Sequence, residues 1–134
     1  MIQPLFVNPG YMTGAFYSGA PVNIIAYNVI SDYNARGLGA RTIAGGLAGV
    51  SSNEYRIATR TGSHYISGVL VYDYHFMRQT DIGEWAEKRG AGPSVNRGAI
   101  DPATASWNLY DIYGSLVMNN FYNSTTYFLA VRLY

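Results

Sequence analysis

The clearest periodic pattern of hydrophobic residues lies between Pro21 and Gly39. Its apolar members recur at steps of three and four residues: Val22, Ile25, Ala26, Val29, Ile30 and Tyr33. This spacing places them on one side of an α-helix. Pro21 is favourable at a first helical position, and Gly37 and Gly39 end the pattern. We therefore predict one amphipathic helix that packs on a sheet. Three asparagines are predicted to face solvent or to make polar contacts at the edge of the helix: Asn23, Asn28 and Asn34.

Residues 54–60 alternate between two sets of side chains, as expected of a β-strand. One set is predicted to face the core: Tyr55, Ile57 and Thr59. The other set is predicted to form a basic outer face: Arg56, Ala58 and Arg60. The sequence Thr61-Gly62-Ser63 predicts a turn that follows this strand.

The longest apolar run belongs to a strand predicted over residues 64–79, which holds both histidines of the chain. A tight turn is predicted from Thr80 to Gly83, with a short return strand around Trp85. Glycine and proline punctuate the longest predicted loop, from Gly90 to about Ala105. Long loops in compact domains tend to carry function or an interface.

Two further strands are predicted at residues 115–122 and 126–134, joined by a hairpin connection at residues 123–125. The side chains expected to share one face of the last strand are Tyr127, Leu129, Val131 and Leu133. Proline, glycine and aromatic residues alternate at the start of the chain and predict an irregular arm over residues 1–20. This arm is expected to lie on its own domain or on a neighbouring subunit. Residues 21–134 are expected to form a single α+β domain, with one amphipathic helix packed on a mainly antiparallel sheet.

Composition removes several classes of function. The net charge is +1 and the nine basic residues are scattered, so no nucleic-acid partner is expected. The chain has no cysteine, which excludes disulfides, cysteine-ligated metals and a thiol nucleophile within it. Its apolar runs are shorter than the roughly 20 residues that span a bilayer, so neither a secretion signal nor membrane insertion is expected.

The surface of the protein must be unusual, because only 13% of residues are charged whereas 13 residues are tyrosine. Typical soluble domains carry about 25% charged residues. Either the outside is partly buried in neighbouring subunits or many rings lie in a β-rich core. The glycine-containing run of residues 42–50 lacks the spacing of a P-loop or a dinucleotide site, and no cofactor is expected.

The run Tyr74-His75-Phe76-Met77-Arg78-Gln79, followed by Gly83, Trp85 and Lys88, resembles a segment of uncharacterised bacterial and viral proteins. Their segment reads Tyr-His-Trp/Phe-Tyr-Arg-Gln…Gly-x-Trp-Ser-His-Lys-Pro-Gly. Residues 8–14 are similar to the Gln-Pro-Gly-x-x-Ser-Gly of that group, and His64 opens a strand where the group also has a strand histidine. The resemblance implies a layout like that of papain-like cysteine hydrolases. This chain departs from it, because the cysteine-bearing segment is absent and Ala86-Glu87 replaces Ser-His.

His64, His75 and Asp73 are the candidate remnants of such a site. A Cys–His hydrolase needs a thiolate, so both histidines are predicted to be relics or core residues. They are eleven residues apart on one predicted strand, which places them on opposite faces and predicts no shared metal. Asp73 shares the face of His75 and is expected to form a structural hydrogen bond with it. Glu84 and Glu87 are either a carboxylate pair for glycoside chemistry or solvent-facing charges.

Four aromatic residues are the candidate ligand-binding residues: Trp85, Trp107, Tyr110 and Tyr113. Core packing is the alternative, and it is favoured for Trp107. The preferred function is a non-catalytic structural or interaction subunit, a component of a viral or phage particle that binds itself or other structural subunits. The expected location is accordingly the virion or the cytoplasm.

Two other functions remain open. One is a degenerate or truncated papain-like cysteine hydrolase, which predicts that His64 faces an open cleft, whereas a structural subunit predicts a packed His64. The other is a small carbohydrate- or receptor-binding module that holds a host receptor or glycan, which predicts an exposed Trp85.

Overall fold

The computed structural model describes residues 19–89 and 93–132. One helix, α1 (Val22–Ala35), precedes all the strands. The strands in chain order are β1 (Ala40–Ile43), β2 (Glu54–Ile66), β3 (Val69–Gln79), β4 (Trp85–Lys88), β5 (Ser94–Asn96), β6 (Leu109–Tyr110), β7 (Leu116–Met118) and β8 (Tyr127–Arg132). Six strands form an antiparallel sheet in the order β1-β8-β2-β3-β4-β5, and β6 pairs with β7 separately. The α+β prediction is confirmed. Of the predicted arm, residues 1–18 lie outside the described residues.

Helix α1 forms where the hydrophobic pattern predicts it, and Pro21 caps it with an extended ψ of 161°. Its side chains Ala26, Val29 and Tyr33 pack on the sheet in one buried cluster. Of the two alternatives predicted for Asn28, exposure to solvent is wrong, because that side chain is only 2% exposed. Asn28 lies next to Val29 and three residues after the buried Ile25, so the buried side of the helix is wider than its apolar stripe.

The sheet is covered on both faces. Helix α1 lies over Ile57, Leu129 and Val131. The opposite face carries Ala58, Met77 and Phe128, which pack against a cluster that includes residues of the segment 99–126. We call this segment, which includes β6 and β7, the outer layer. Because the outer layer covers this face, the predicted basic outer face of β2 is wrong: Arg60 is only 5% exposed.

The turn of the central hairpin lies later than predicted. Strand β2 continues through Thr61-Gly62-Ser63 to Ile66, and Ser67 and Gly68 form the turn with φ values of 50° and 80°. Two successive residues with positive φ are typical of the tight type I′ hairpin turn. The predicted turn at residues 61–63 is therefore wrong.

This correction changes the relation between the two histidines. His64 lies opposite Val71, and Arg60 lies opposite His75, in the β2–β3 register. Side chains two residues apart on a strand share a face, so both histidines point to the outer-layer side of the sheet. The prediction that they lie on opposite faces is wrong, because it assumed one continuous strand.

The second half of the chain mixes confirmed and wrong predictions. The turn at residues 80–83 is confirmed, with the Gly83 amide donating to the Thr80 carbonyl at 3.1 Å. Residues 123–125 do not join a hairpin, because β7 pairs with β6 whereas β8 inserts between β1 and β2. Burial confirms the shared inner face of Leu129 and Val131, and Leu133 lies outside the described residues.

Gly62 is a point of close approach between the outer layer and the sheet. A Cβ atom at this position would overlap the carbonyl oxygen of Phe121. We predict that Gly62→Ala lowers the free energy of unfolding by about 3 kcal/mol, because neither backbone can move without breaking its contacts. Urea unfolding measures the change. Gly45→Ala is the matched control, since a Cβ atom there meets no other atom within 4 Å. Equal stability of the two variants would contradict the close packing of Phe121 on β2.

Candidate functional site

A cluster of polar side chains lies between the sheet and the outer layer. His75 on β3 donates from Nε2 to Oε1 of Glu87 on β4, at 2.9 Å. Arg97 donates from Nη1 to the other carboxylate oxygen, Oε2, at 2.7 Å, and Arg89 Nη2 lies 3.6 Å from that oxygen. The Glu87 side chain is fully buried, at 0% exposure. These four residues, together with Asp73 and Tyr122, form what we call the polar cluster.

Glu87 is the ionised centre of the polar cluster. Burial alone raises the pKa of its carboxyl, but the hydrogen bonds from His75 and Arg97 outweigh burial and lower this pKa to about 2. A group with so low a pKa holds no proton to donate near neutral pH. Glu87 therefore acts as a buried counter-ion that holds its partners together.

Tyr122 joins the outer layer to β3 in the same cluster. Its hydroxyl donates to Oδ2 of Asp73 at 2.7 Å, and its ring stacks on the imidazole of His75 with centroids 4.9 Å apart. Burial, followed by the charge of Asp73, raises the pKa of the Tyr122 phenol. The hydroxyl therefore remains protonated as a hydrogen-bond donor and is not activated as a nucleophile. Asp73 does share the face of His75, but Glu87, rather than Asp73, holds the imidazole.

Arg60 forms a second link between the sheet and the outer layer. Its guanidinium donates to the carbonyl oxygens of Tyr122, Pro102 and Ala103 at 3.1, 2.8 and 3.0 Å. It also lies over the ring of Trp107, 4.9 Å from the centroid. The indole of Trp107 donates in turn to the Pro102 carbonyl at 2.9 Å. Arg60, which the sequence predicted to be a surface cation, is thus a buried link between the sheet and the outer layer.

His64 is packed rather than open to a cleft. Its Nε2 lies 2.8 Å from the carbonyl oxygen of Phe121 and 3.3 Å from Oδ1 of Asn123. The ring meets the Phe121 ring edge-on, with centroids 5.0 Å apart. No described serine or threonine hydroxyl forms a hydrogen bond with either imidazole ring. The described residues also contain no group of three histidine, aspartate or glutamate side chains placed to hold a metal.

The two glutamates near Trp85 do not act as a pair. Glu84 accepts a hydrogen bond from Nδ2 of Asn96 at 2.8 Å in an exposed position. Glu87 is buried and bonded to His75 and Arg97. Each carboxylate therefore has its own partners, and the geometry does not match the two facing carboxylates of glycoside chemistry.

The four candidate binding aromatics have different surroundings. Trp85 and Trp107 are buried, at 2% and 0% exposure, in the cluster beneath the outer layer. Tyr110 is half-buried, with the Arg89 guanidinium 4.3 Å from its ring centroid. Only Tyr113 presents its ring to solvent, at 85% exposure. The exposure that a carbohydrate-binding role requires of Trp85 is absent.

An open cavity of about 490 Å³ lies between the glycine-containing loop and the start of the outer layer. Its walls are residues 44–47 and 99–103, with the edges of Trp85 and Phe128. This volume is within the range of small-molecule sites. Its polar side chains are Gln79, which accepts a hydrogen bond from Arg56, and Asp101, which accepts one from the Ala103 amide. Among the described residues, the wall therefore contains no pair of groups suited to acid–base chemistry.

Exposed apolar side chains gather on two hairpins. Ten large hydrophobic residues are exposed in the described part of the chain, and seven of them belong to these hairpins. Three lie at the end of β2–β3: Tyr65, Val69 and Leu70. Four lie in and after the β6–β7 turn: Ile112, Tyr113, Leu116 and Val117. We call these seven residues the hairpin-end surface. It has members on both sides of the sheet, because Tyr65 and Leu70 lie on the α1 side and Val69 lies on the side of the outer layer. The pattern of hydrophobic residues in the sequence did not predict this surface. Periodicity does not show which apolar side chains stay exposed once the layers of the fold have packed.

Comparison of the chain with protein-family models, with curated proteins and with solved structures finds no match. In the described residues, no helix combines the length and the apolar character needed to cross a bilayer.

Proposed function

We propose that this protein is a non-catalytic structural subunit that self-associates through the hairpin-end surface. The observation that carries the proposal is the concentration of seven exposed apolar side chains on two hairpins. Both hairpins rest on one buried cluster through Ile66, Val71, Leu109 and Met118. Large exposed apolar patches on soluble proteins mark interaction sites.

The charge pattern of the hairpin-end surface favours a protein partner. Residues 65–72 include no charged side chain, and residues 109–123 include only Asp111. The Asp111 carboxylate accepts hydrogen bonds from the backbone amides of Tyr113 and Ser115, both at 2.9 Å. Amides of the same turn therefore stabilise its negative charge. The centres of protein interfaces are similarly poor in charge and rich in tyrosine.

The polar cluster supports the non-catalytic part of the proposal. Its groups bind one another: Glu87 binds His75 and Arg97, and Tyr122 binds Asp73. Catalytic groups need a site where substrate reaches them, whereas the Glu87 carboxylate is fully buried. A viral or phage particle is the setting that we propose, on the resemblance of the central segment to bacterial and viral proteins.

Loss of apolar surface at one hairpin tests the proposal. The double variant Tyr113→Ser/Leu116→Ser removes two side chains that are 85% and 52% exposed. We expect it to weaken self-association at least about tenfold, as removal of a central apolar contact does at other interfaces. Sedimentation velocity over a concentration series gives the association constant.

The matched control removes exposed apolar surface elsewhere. Leu47→Ser/Ile82→Ser replaces side chains that are 95% and 79% exposed but lie outside both hairpins. We expect this variant to associate as the unaltered chain does. If both double variants weaken association equally, the hairpin-end surface is not the interface.

A further inference from the structure

The walls of the open cavity, whose volume is about 490 Å³, are held by hydrogen bonds within the chain. On one side, the Ala48 amide donates to the Gly45 carbonyl at 3.1 Å, and Arg56 Nε donates to the Ala48 carbonyl at 2.9 Å. On the other side, the Ala105 amide donates to the Asp101 carbonyl at 2.9 Å. Both walls are therefore formed before any ligand arrives, as is usual in small-molecule sites.

Small residues leave room between these walls, and buried rings make the interior apolar. The small residues are Ala44, Gly45, Gly46, Gly83, Ala99 and Ala103. The buried rings of Trp85 and Phe128 meet edge to face with centroids 6.1 Å apart, and both residues line the cavity. Ile100 and Pro102 add further apolar surface. The cavity therefore suits a flat apolar body such as an aromatic ring.

Asp101 is the single charged residue among the described residues that line the cavity. Its Oδ1 accepts a hydrogen bond from the Ala103 amide at 3.0 Å. Among the described residues, no lysine or arginine forms an ion pair with its carboxylate, and Oδ2 accepts no hydrogen bond. An available carboxylate oxygen beside apolar walls favours a ligand that carries a positive charge and an N–H donor.

The nearest guanidinium does not reverse this preference. Arg60 lies close enough for its charge to interact with that of Asp101. However, Arg60 is only 5% exposed, lies outside the cavity lining, and donates to Thr126 and to backbone carbonyls. A cation at Oδ2 of Asp101 would therefore meet no positive side chain on the described wall, whereas an anion there would meet like charge.

Gln79 supplies a neutral polar group to the same cavity. Its Oε1 accepts a hydrogen bond from Arg56 Nη1 at 2.7 Å. The opposite atom of the amide, Nε2, lies 3.5 Å from the Gly83 carbonyl, at the limit of a hydrogen bond. Gln79 therefore offers a ligand a donor but no charge.

We propose that the open cavity binds a small molecule that joins an aromatic ring to a protonated amine. The ring lies against the apolar wall, and the ammonium group donates to Oδ2 of Asp101. This inference goes beyond the proposed function, because no residue of the hairpin-end surface lines the cavity. Ligand binding and self-association can therefore fail independently.

Two probes of similar size and opposite charge test the inference on the unaltered chain. At neutral pH, 2-phenylethylamine is a cation and 3-phenylpropionate is an anion. Titrations followed by the NMR signals of backbone amides give both the affinity and the place of binding. We expect the amine to shift the signals of residues 44–47 and 99–103, with a Kd of about 5 mM or tighter. We expect it to bind at least about tenfold more tightly than the carboxylate.

Three results of these titrations would overturn the inference. The first is equal affinity for the two probes, and the second is a set of shifts confined to residues outside the cavity walls. The third is the absence of any shift at the walls with about 50 mM amine. Because the titrations need no substitution, they do not depend on how well a variant folds.

Asp101→Asn tests the carboxylate itself. The substitution removes the charge but keeps an oxygen for the Ala103 amide. The matched control is Asp81→Asn, which removes an exposed carboxylate that does not line the cavity. We expect Asp101→Asn alone to weaken binding of 2-phenylethylamine, by at least about tenfold. Equal affinity of the two variants for the amine would overturn the role of Asp101.

Discussion

Replacement of Glu87 by glutamine is expected to lower the free energy of unfolding by about 3 kcal/mol, because it leaves the largely buried guanidinium of Arg97 without its counter-ion. Glu87 is 0% exposed, and its partners His75 and Arg97 are 17% and 19% exposed. Glutamine keeps the shape of the side chain but not its charge. Urea unfolding at pH 7 measures the difference. The control is Glu84→Gln, which removes an exposed carboxylate bonded only to Asn96 and is expected to change stability by less than about 1 kcal/mol.

The same variant is expected to alter the response to acid. The pKa of Glu87 in the folded chain is about 2, below the ordinary value of 4.5. Its contribution to stability is therefore complete above about pH 4.5 and is lost as the pH falls to about 2. Glu87→Gln should lack this part of the acid-induced loss, whereas Glu84→Gln should retain it. Identical acid profiles for the unaltered chain and Glu87→Gln would contradict a strongly ion-paired carboxylate.

Replacement of Arg60 by methionine is also expected to lower the free energy of unfolding by about 3 kcal/mol. The substitution keeps the apolar stem but leaves the carbonyls of Tyr122, Pro102 and Ala103 without the donor that joins them to β2. Hydrogen exchange of the outer-layer amides should accelerate more than that of β8 amides, because the outer layer loses its attachment.

Arg41→Met is the control for Arg60→Met. Arg41 pairs with Glu54 at 3.0 Å, but its side chain is 51% exposed, and exposed pairs contribute little to stability because water screens them. If the two arginine substitutions lower the free energy of unfolding equally, Arg60 does not hold the outer layer on the sheet.

Sequence patterns correctly predicted those elements whose structure depends mainly on their own residues. The helix follows from the spacing of Val22, Ile25 and Val29, and the turn at residues 80–83 follows from its glycine. The turn at Ser67 and Gly68 was missed, since only two residues interrupt the strand pattern there. Their positive φ values of 50° and 80° are what close the hairpin.

The outer layer was beyond the reach of pattern analysis, because its residues form few strands and are held by tertiary contacts. Alternation within β2 placed Arg60 on one face correctly but did not show that residues 99–126 cover that face. The polar cluster illustrates the same limit. Glu87 comes from β4, and its bonds with His75 and Arg97 depend on how three separate segments pack.

The native mass of the unaltered chain, measured by light scattering after size-exclusion chromatography over rising concentration, tests the central claim most directly. A self-associating structural subunit is expected to exceed the 14.7 kDa of one chain, either as a defined oligomer or as a mass that rises with concentration. A mass that stays at 14.7 kDa at every concentration would contradict it.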